Sequence, residues 1–188
     1  MEKFRMFFIG IITAFGALIF ELLVLIIFPA AAEIFFGKFS LMVIFGVLIE
    51  EFFKLAVVFK ISKNNSAGGN IFLNSVFMGI GFSSVEIMFN LEKYSGYFAQ
   101  ILPALIGLFL IHTATLLIFG SYFFRVQKPI FPKSLFLFLT AVLIHFLFNL
   151  TVLNEINYWL ISAGLMIFIS FLFFLSLKSP KMSDSLPK

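Results

Sequence analysis

Polar residues along this chain are too sparse to alternate with apolar ones; instead they punctuate it. Between them run six apolar stretches, near 6–28, 39–59, 69–91, 99–124, 134–154 and 156–177. Each is close to the roughly 20 residues that a helix needs to cross the hydrocarbon core of a bilayer. The pattern predicts an all-α fold, a polytopic membrane protein with a bundle of about six transmembrane helices forming one domain over 1–177. The breaks are short. Residues 63–70, rich in Asn and Gly, read as a flexible loop. Asn154, Glu155, Ile156 and Asn157 read as a tight turn, and 178–188, with Pro180 and Pro187, as a disordered cytoplasmic tail. Lys3 and Arg5 precede the first stretch as they would in a signal peptide, but the apolar run is longer than a signal core. It is therefore expected to be a retained helix, the alternative being a processing site at Ala30-Ala31-Ala32.

Composition narrows the chemistry. Hydrophobic residues make up 62% of the chain and charged ones 12%, against about 25% in soluble domains, so a soluble enzyme is excluded. The 31 Phe residues are expected to be mostly lipid-facing bulk without functional weight. No cysteine is present, which rules out disulfides, thiolate metal sites and a Cys nucleophile and leaves oxygen and nitrogen groups to do any chemistry. The formal charge of +4 would suggest nucleic acid in a soluble chain, but the basic residues form no patch, so no nucleic-acid partner is expected.

They read instead as topology signals. With the N-terminus in the cytoplasm, that side carries ten of the 13 basic residues: Lys3, Arg5, Lys60, Lys63, Arg125, Lys128, Lys133, Lys178, Lys181 and Lys188. Lys38 and Lys93 lie on the other side, and Lys54 within the membrane. Both termini are expected in the cytoplasm.

A charge at bilayer depth is costly, so each one is a functional candidate. The second stretch holds Glu50, Glu51 and Lys54 near its centre. Glu50 and Lys54 are four apart and share a face, the spacing of an ion pair. One Lys neutralises only one of two adjacent carboxylates, which leaves the other as a candidate general base or acid. The third stretch contributes Glu86, with Asn90 one turn later. Ser75, Gly79 and Ser83 form a small-residue stripe on it, expected to let a neighbour approach closely and to bring Glu86 against the second helix. His112 falls mid-way along the fourth stretch and His145 mid-way along the fifth, with Asn149 on the same face as His145. A lone intramembrane His is usually a satisfied interhelical hydrogen bond, but two at the depth of Glu50 favour a shared site. Glu21, without a polar neighbour one turn away, is expected at a helix contact or lining access for water. Glu155 and Trp159 belong near the outer interface.

The order Glu50-Glu51-x-x-Lys54, Phe82-x-x-x-Glu86, His112, His145-x-x-x-Asn149 on successive helices resembles the PrsW family of intramembrane proteases, within the wider group that includes the CPBP (CAAX-processing and bacteriocin-immunity) proteases. The pattern spans the second to fifth helices. Leu55 stands where the CPBP pattern has Arg, and Glu86 where it has His; with Gly79-Ile80-Gly81-Phe82 ahead of the acid, the likeness is closer to PrsW. The resemblance implies hydrolysis of a peptide bond in a membrane-anchored protein or peptide, within or near the outer half of a prokaryotic cell membrane. It implies Glu50, Glu51, Glu86, His112, His145 and Asn149 as catalytic residues, supported by Lys54, Phe82 and Asn90. Glu50 or Glu51 would activate water, and Asn149 would be an oxyanion donor. A divalent metal, Zn2+, remains open beside a metal-free glutamic mechanism, with Glu50, Glu86, His112 and His145 as candidate ligands. The rival readings are a proton- or ion-coupled carrier and a non-catalytic scaffold of the same fold.

Overall fold

The computed structural model describes residues 2–36, 39–64, 71–93, 98–123, 129–153 and 158–178. Six long helices overlie the six apolar stretches: α1 (Glu2–Ile27), α3 (Leu41–Asn64), α4 (Ile71–Lys93), α5 (Phe98–Phe123), α6 (Phe131–Leu153) and α7 (Tyr158–Lys178). The chain is an all-α membrane-helical bundle. The segments Glu2–Ile27, Phe72–Phe89, Leu102–Phe123 and Phe131–Val152 are long and apolar enough to span a bilayer. The link between α1 and α3, which the hydropathy pattern leaves blank, holds a four-residue helix α2 (Ala30–Glu33) and a pairing of β1 (Phe35–Phe36) with β2 (Phe39–Ser40). Elements this short leave no periodicity to read. The turn at 154–157, most of the 63–70 loop, the tail beyond Lys178, and the side chains of Asn90 and Trp159 lie outside the described residues.

Helix α5 is the axis of the bundle. It packs against α3, α4, α6 and α7, and from Leu110 to Phe119 every residue is buried. Its His112, Thr113 and Thr115 would be costly against lipid, and here all three are enclosed. The other helices show large apolar side chains outward, among them Phe4, Ile26, Phe136 and Ile167, as lipid-facing surfaces require. Helices α1 and α4 run in the same direction: Asn74 Nδ2 donates to Glu2 Oε1 at 3.3 Å near one end, while Glu21 and Glu86 line one cavity further along.

Glycine makes this contact possible. A Cβ at Gly81 would overlap the Phe7 carbonyl oxygen, and one at Gly10 the Met78 carbonyl oxygen, so the two backbones touch directly. The small-residue stripe on α4 does bring a neighbour close, but not the one expected. Gly79 lies against Thr113 of α5, and α4 packs on α1 and α5 with little contact to α3. Phe82 fills the space between α3 and α4, which is why Glu86 meets α5 first.

Candidate functional site

All three central charges of α3 turn inward, while Phe52 on the opposite face is 58% exposed. Lys54 is fully buried, and its Nζ is the hub of the site. It donates to Glu51 Oε1 at 2.6 Å, to His112 Nδ1 at 2.7 Å and more weakly to Thr115 Oγ1 at 3.5 Å. The ion pair expected between Glu50 and Lys54 is long, at 4.0 Å. The close partner is Glu51, three residues back: the ammonium is drawn toward His112 of α5, and Glu51 in turn is met by His145 of α6.

The hydrogen bonds fix the imidazoles. An ammonium has no lone pair to offer, so His112 Nδ1 must accept from Lys54. His112 Nε2 therefore carries the proton and donates to Glu86 Oε2 at 3.0 Å. His145 Nδ1 donates to Glu51 Oε1 at 2.7 Å. The result is one continuous chain, Glu86–His112–Lys54–Glu51–His145, built from four helices. The rings of His112 and His145 meet edge to face at 5.1 Å. Phe82 lies 4.7 Å from the His112 ring and 4.4 Å below the Lys54 ammonium, so it is the apolar floor of the site. Phe82, expected as a supporting residue and not as lipid-facing bulk, is 1% exposed.

The two adjacent carboxylates of α3 have different surroundings. Glu51 is fully buried and spends Oε1 on both Lys54 and His145. The Glu50 side chain keeps 16% of its surface and that of Glu86 26%. Glu50 and Glu86 face a cavity of about 50 Å³, whose walls also include Glu21. Glu50 Oε2 makes no hydrogen bond; its neighbours are Lys54 Nζ and His112 Nδ1 at 4.0 Å and His145 Nδ1 at 3.9 Å.

Of the residues singled out in the sequence, Glu50, Glu51, Lys54, Phe82, Glu86, His112 and His145 come together. Asn149 is half-buried one turn beyond His145, and among the described residues it has no bond to this group and α6 lines no part of the cavity. Thr115 was missed, although it stands three residues after His112, where a polar residue in an otherwise apolar helix is a visible signal.

Glu50, His112 and His145 each offer a donor atom, all within 4.8 Å of one another, and the unpartnered Glu50 oxygen suits a metal ion. The lone pair of His112 Nδ1, however, is directed at Lys54, whose positive charge is only 4.0 Å from the Glu50 oxygen. A divalent ion would have to displace that ammonium and then sit beside it. With Lys54 in place the donor set does not fit a metal, and the cation of this centre is Lys54 itself.

Comparisons with protein-family models, with curated proteins and with solved structures return no match for this chain.

Proposed function

We propose that the protein is an intramembrane peptidase that hydrolyses a peptide bond of a membrane-anchored protein or peptide, with Glu50 as the general base. One observation carries this reading: Glu50 and Glu86, at bilayer depth, face one small cavity and are backed by a buried network of nitrogen groups. Two carboxylates with different surroundings are what acid–base hydrolysis needs, one to take a proton from water and one to give a proton to the leaving amine.

In this mechanism Glu50 accepts a proton from a water molecule as that water adds to the scissile carbonyl. The proton then passes to the amide nitrogen as the C–N bond breaks, from Glu50 or by way of Glu86. His112 orients Glu86 through its Nε2–H, and Lys54 holds His112 in that tautomer. Glu51 and His145 are too deeply buried to touch substrate and act by fixing Lys54. The likeness of Glu50-Glu51-x-x-Lys54 and its companions to PrsW supports the same reading, as does the charge asymmetry, which would place the cavity in the half of the bilayer away from the cytoplasm.

The test uses purified protein in liposomes with a panel of single-pass membrane peptides and a Glu50→Gln control, with a pH-sensitive dye inside the vesicles. Cleavage that Glu50→Gln lacks is the expected result. A proton flux that Glu50→Gln abolishes, without cleavage of any peptide, would replace this reading with that of a carrier.

A further inference from the structure

Glu21 is a membrane-depth carboxylate that the mechanism above leaves unused. It lies on α1, six residues before the helix ends at Ile27. Its carboxyl carbon is 3.7 Å from where a Cβ would stand at Gly46, and its oxygens are 3.8 and 3.9 Å away. Gly46 precedes Glu50 by one turn on the same face of α3. The missing side chain at 46 thus leaves a notch in which the Glu21 carboxyl group rests against α3, one turn from Glu50. Among the described residues Glu21 has no hydrogen-bond or ion-pair partner.

The cavity explains how such a group is tolerated. Besides Glu21, Glu50 and Glu86, its walls are Ala14, Ala17, Leu18, Phe82, Val85 and Phe89, all apolar. At about 50 Å³ it has room for roughly three waters, since one needs about 10–15 Å³. Water in it would find its protein hydrogen-bond partners in the three carboxyl groups. Beyond the tight contact near Gly10 and Gly81, the cavity is lined by Ala14, Ala17 and Leu18 of α1 and by Phe82, Val85 and Phe89 of α4.

We propose that Glu21 is a positioning residue of the site, holding the cavity water in line with Glu50 and Glu86. Its part in hydrolysis rests on the reading of Glu50 as the base; its place in a wet cavity does not.

The natural absence of cysteine allows a clean test of placement. Single variants Glu21→Cys and Leu18→Cys put a thiol on the cavity wall, and Phe20→Cys puts one where the native side chain is 48% exposed toward lipid. Each, reconstituted in liposomes, is treated with a small charged methanethiosulfonate. Positions 21 and 18 should react about tenfold faster than 20 or more, because only a hydrated thiol ionises to the reactive thiolate. Equal protection at all three overturns the proposal, and Leu18→Cys keeps the test open if Glu21→Cys does not fold.

The second arm measures cleavage of a fluorogenic single-pass peptide. Glu21→Leu should lower kcat about tenfold or more, the scale of a lost acid–base positioning contact, with KM little changed. Glu21→Gln, which keeps an acceptor oxygen, should lose less. A wild-type kcat in Glu21→Leu, or a loss confined to KM, overturns the role. Reaction at 21 in a protein that cleaves no peptide overturns the hydrolytic reading and this role with it, while the wet cavity stands.

Discussion

The Lys54 ammonium lies 2.7 Å from His112 Nδ1, a group 58 residues further along the chain, and this single contact decides which imidazole nitrogen carries the proton. Lys54 also neutralises Glu51, so its loss has two consequences. Lys54→Met strands a buried carboxylate and should destabilise the fold by about 3–5 kcal/mol, read as a lower Tm in detergent. It also releases His112 from its tautomer, so cleavage should fall even in the fraction that stays folded. Lys54→Arg should rescue neither, because a planar guanidinium cannot reproduce a compact ammonium in this pocket. Full activity in Lys54→Arg would show that charge alone is enough.

Neighbouring carboxylates should give unlike phenotypes. Glu50→Gln removes the cavity-facing base and should reduce cleavage by about 10²–10⁴-fold with little change in Tm. Glu51→Gln breaks bonds to both Lys54 and His145 and should lower the Tm sharply, with inactivation following from misassembly. Thermal unfolding beside cleavage rates separates the two. Matching Tm values would mean that the division between base and anchor is wrongly drawn.

The sequence announced the bundle because six long apolar runs are a strong signal in a chain with so few charges. It also announced that the charged residues and histidines meet, though not Thr115, since a group that is costly in lipid must seek others like it. The pairing within the site was less legible. From spacing alone Lys54 could reach Glu50 or Glu51, and only the positions of α5 and α6 decide for Glu51. The partner of α4 was misjudged for a related reason: a small-residue stripe says that a helix can be approached, but not by which neighbour. Glu21 was hardest to place, because its surroundings depend on an absent side chain at Gly46, which has no signature in α1.

Lys54 also bears on metal dependence. Because its ammonium engages the His112 nitrogen that a metal would need, chelators should leave cleavage unchanged and added Zn2+ should not raise it. The measurement is the rate in liposomes across a chelator titration, followed by zinc add-back. Loss on chelation with recovery on zinc would show that Lys54 gives up His112 when a metal is bound.

The contact of α1 with α4 should be intolerant of a single methyl group. Gly81→Ala places a Cβ against the Phe7 carbonyl, and backbone cannot move aside as a side chain would. Overpacking of this kind costs about 1–3 kcal/mol, and here the upper end is expected. Gly164→Ala is the matched control: nothing lies within 4 Å of the added atom, so it should be neutral or stabilising by about 0.5–1 kcal/mol, the usual advantage of Ala over Gly in a helix. Equal Tm changes in the two variants would contradict the close approach of α1 and α4.

Orientation follows from the basic residues. Ten of the 13 lie on the side of both termini if the helices alternate in direction, while Lys38 and Lys93 lie opposite. Charge near the ends of spans is retained on the cytoplasmic side, so the asymmetry predicts cytoplasmic termini. A reporter active only in the cytoplasm should work when fused after Lys188 and fail when inserted beside Lys93. The result also fixes where the chemistry is exposed. Glu21 and Glu86 fall in the later parts of α1 and α4, which would then run outward, so the cavity would admit water and substrate from the non-cytoplasmic half. Reporter activity at Lys93 and none after Lys188 would invert the bundle and move the predicted cleavage to the cytoplasmic half. Activity at both would contradict the alternation of helices itself.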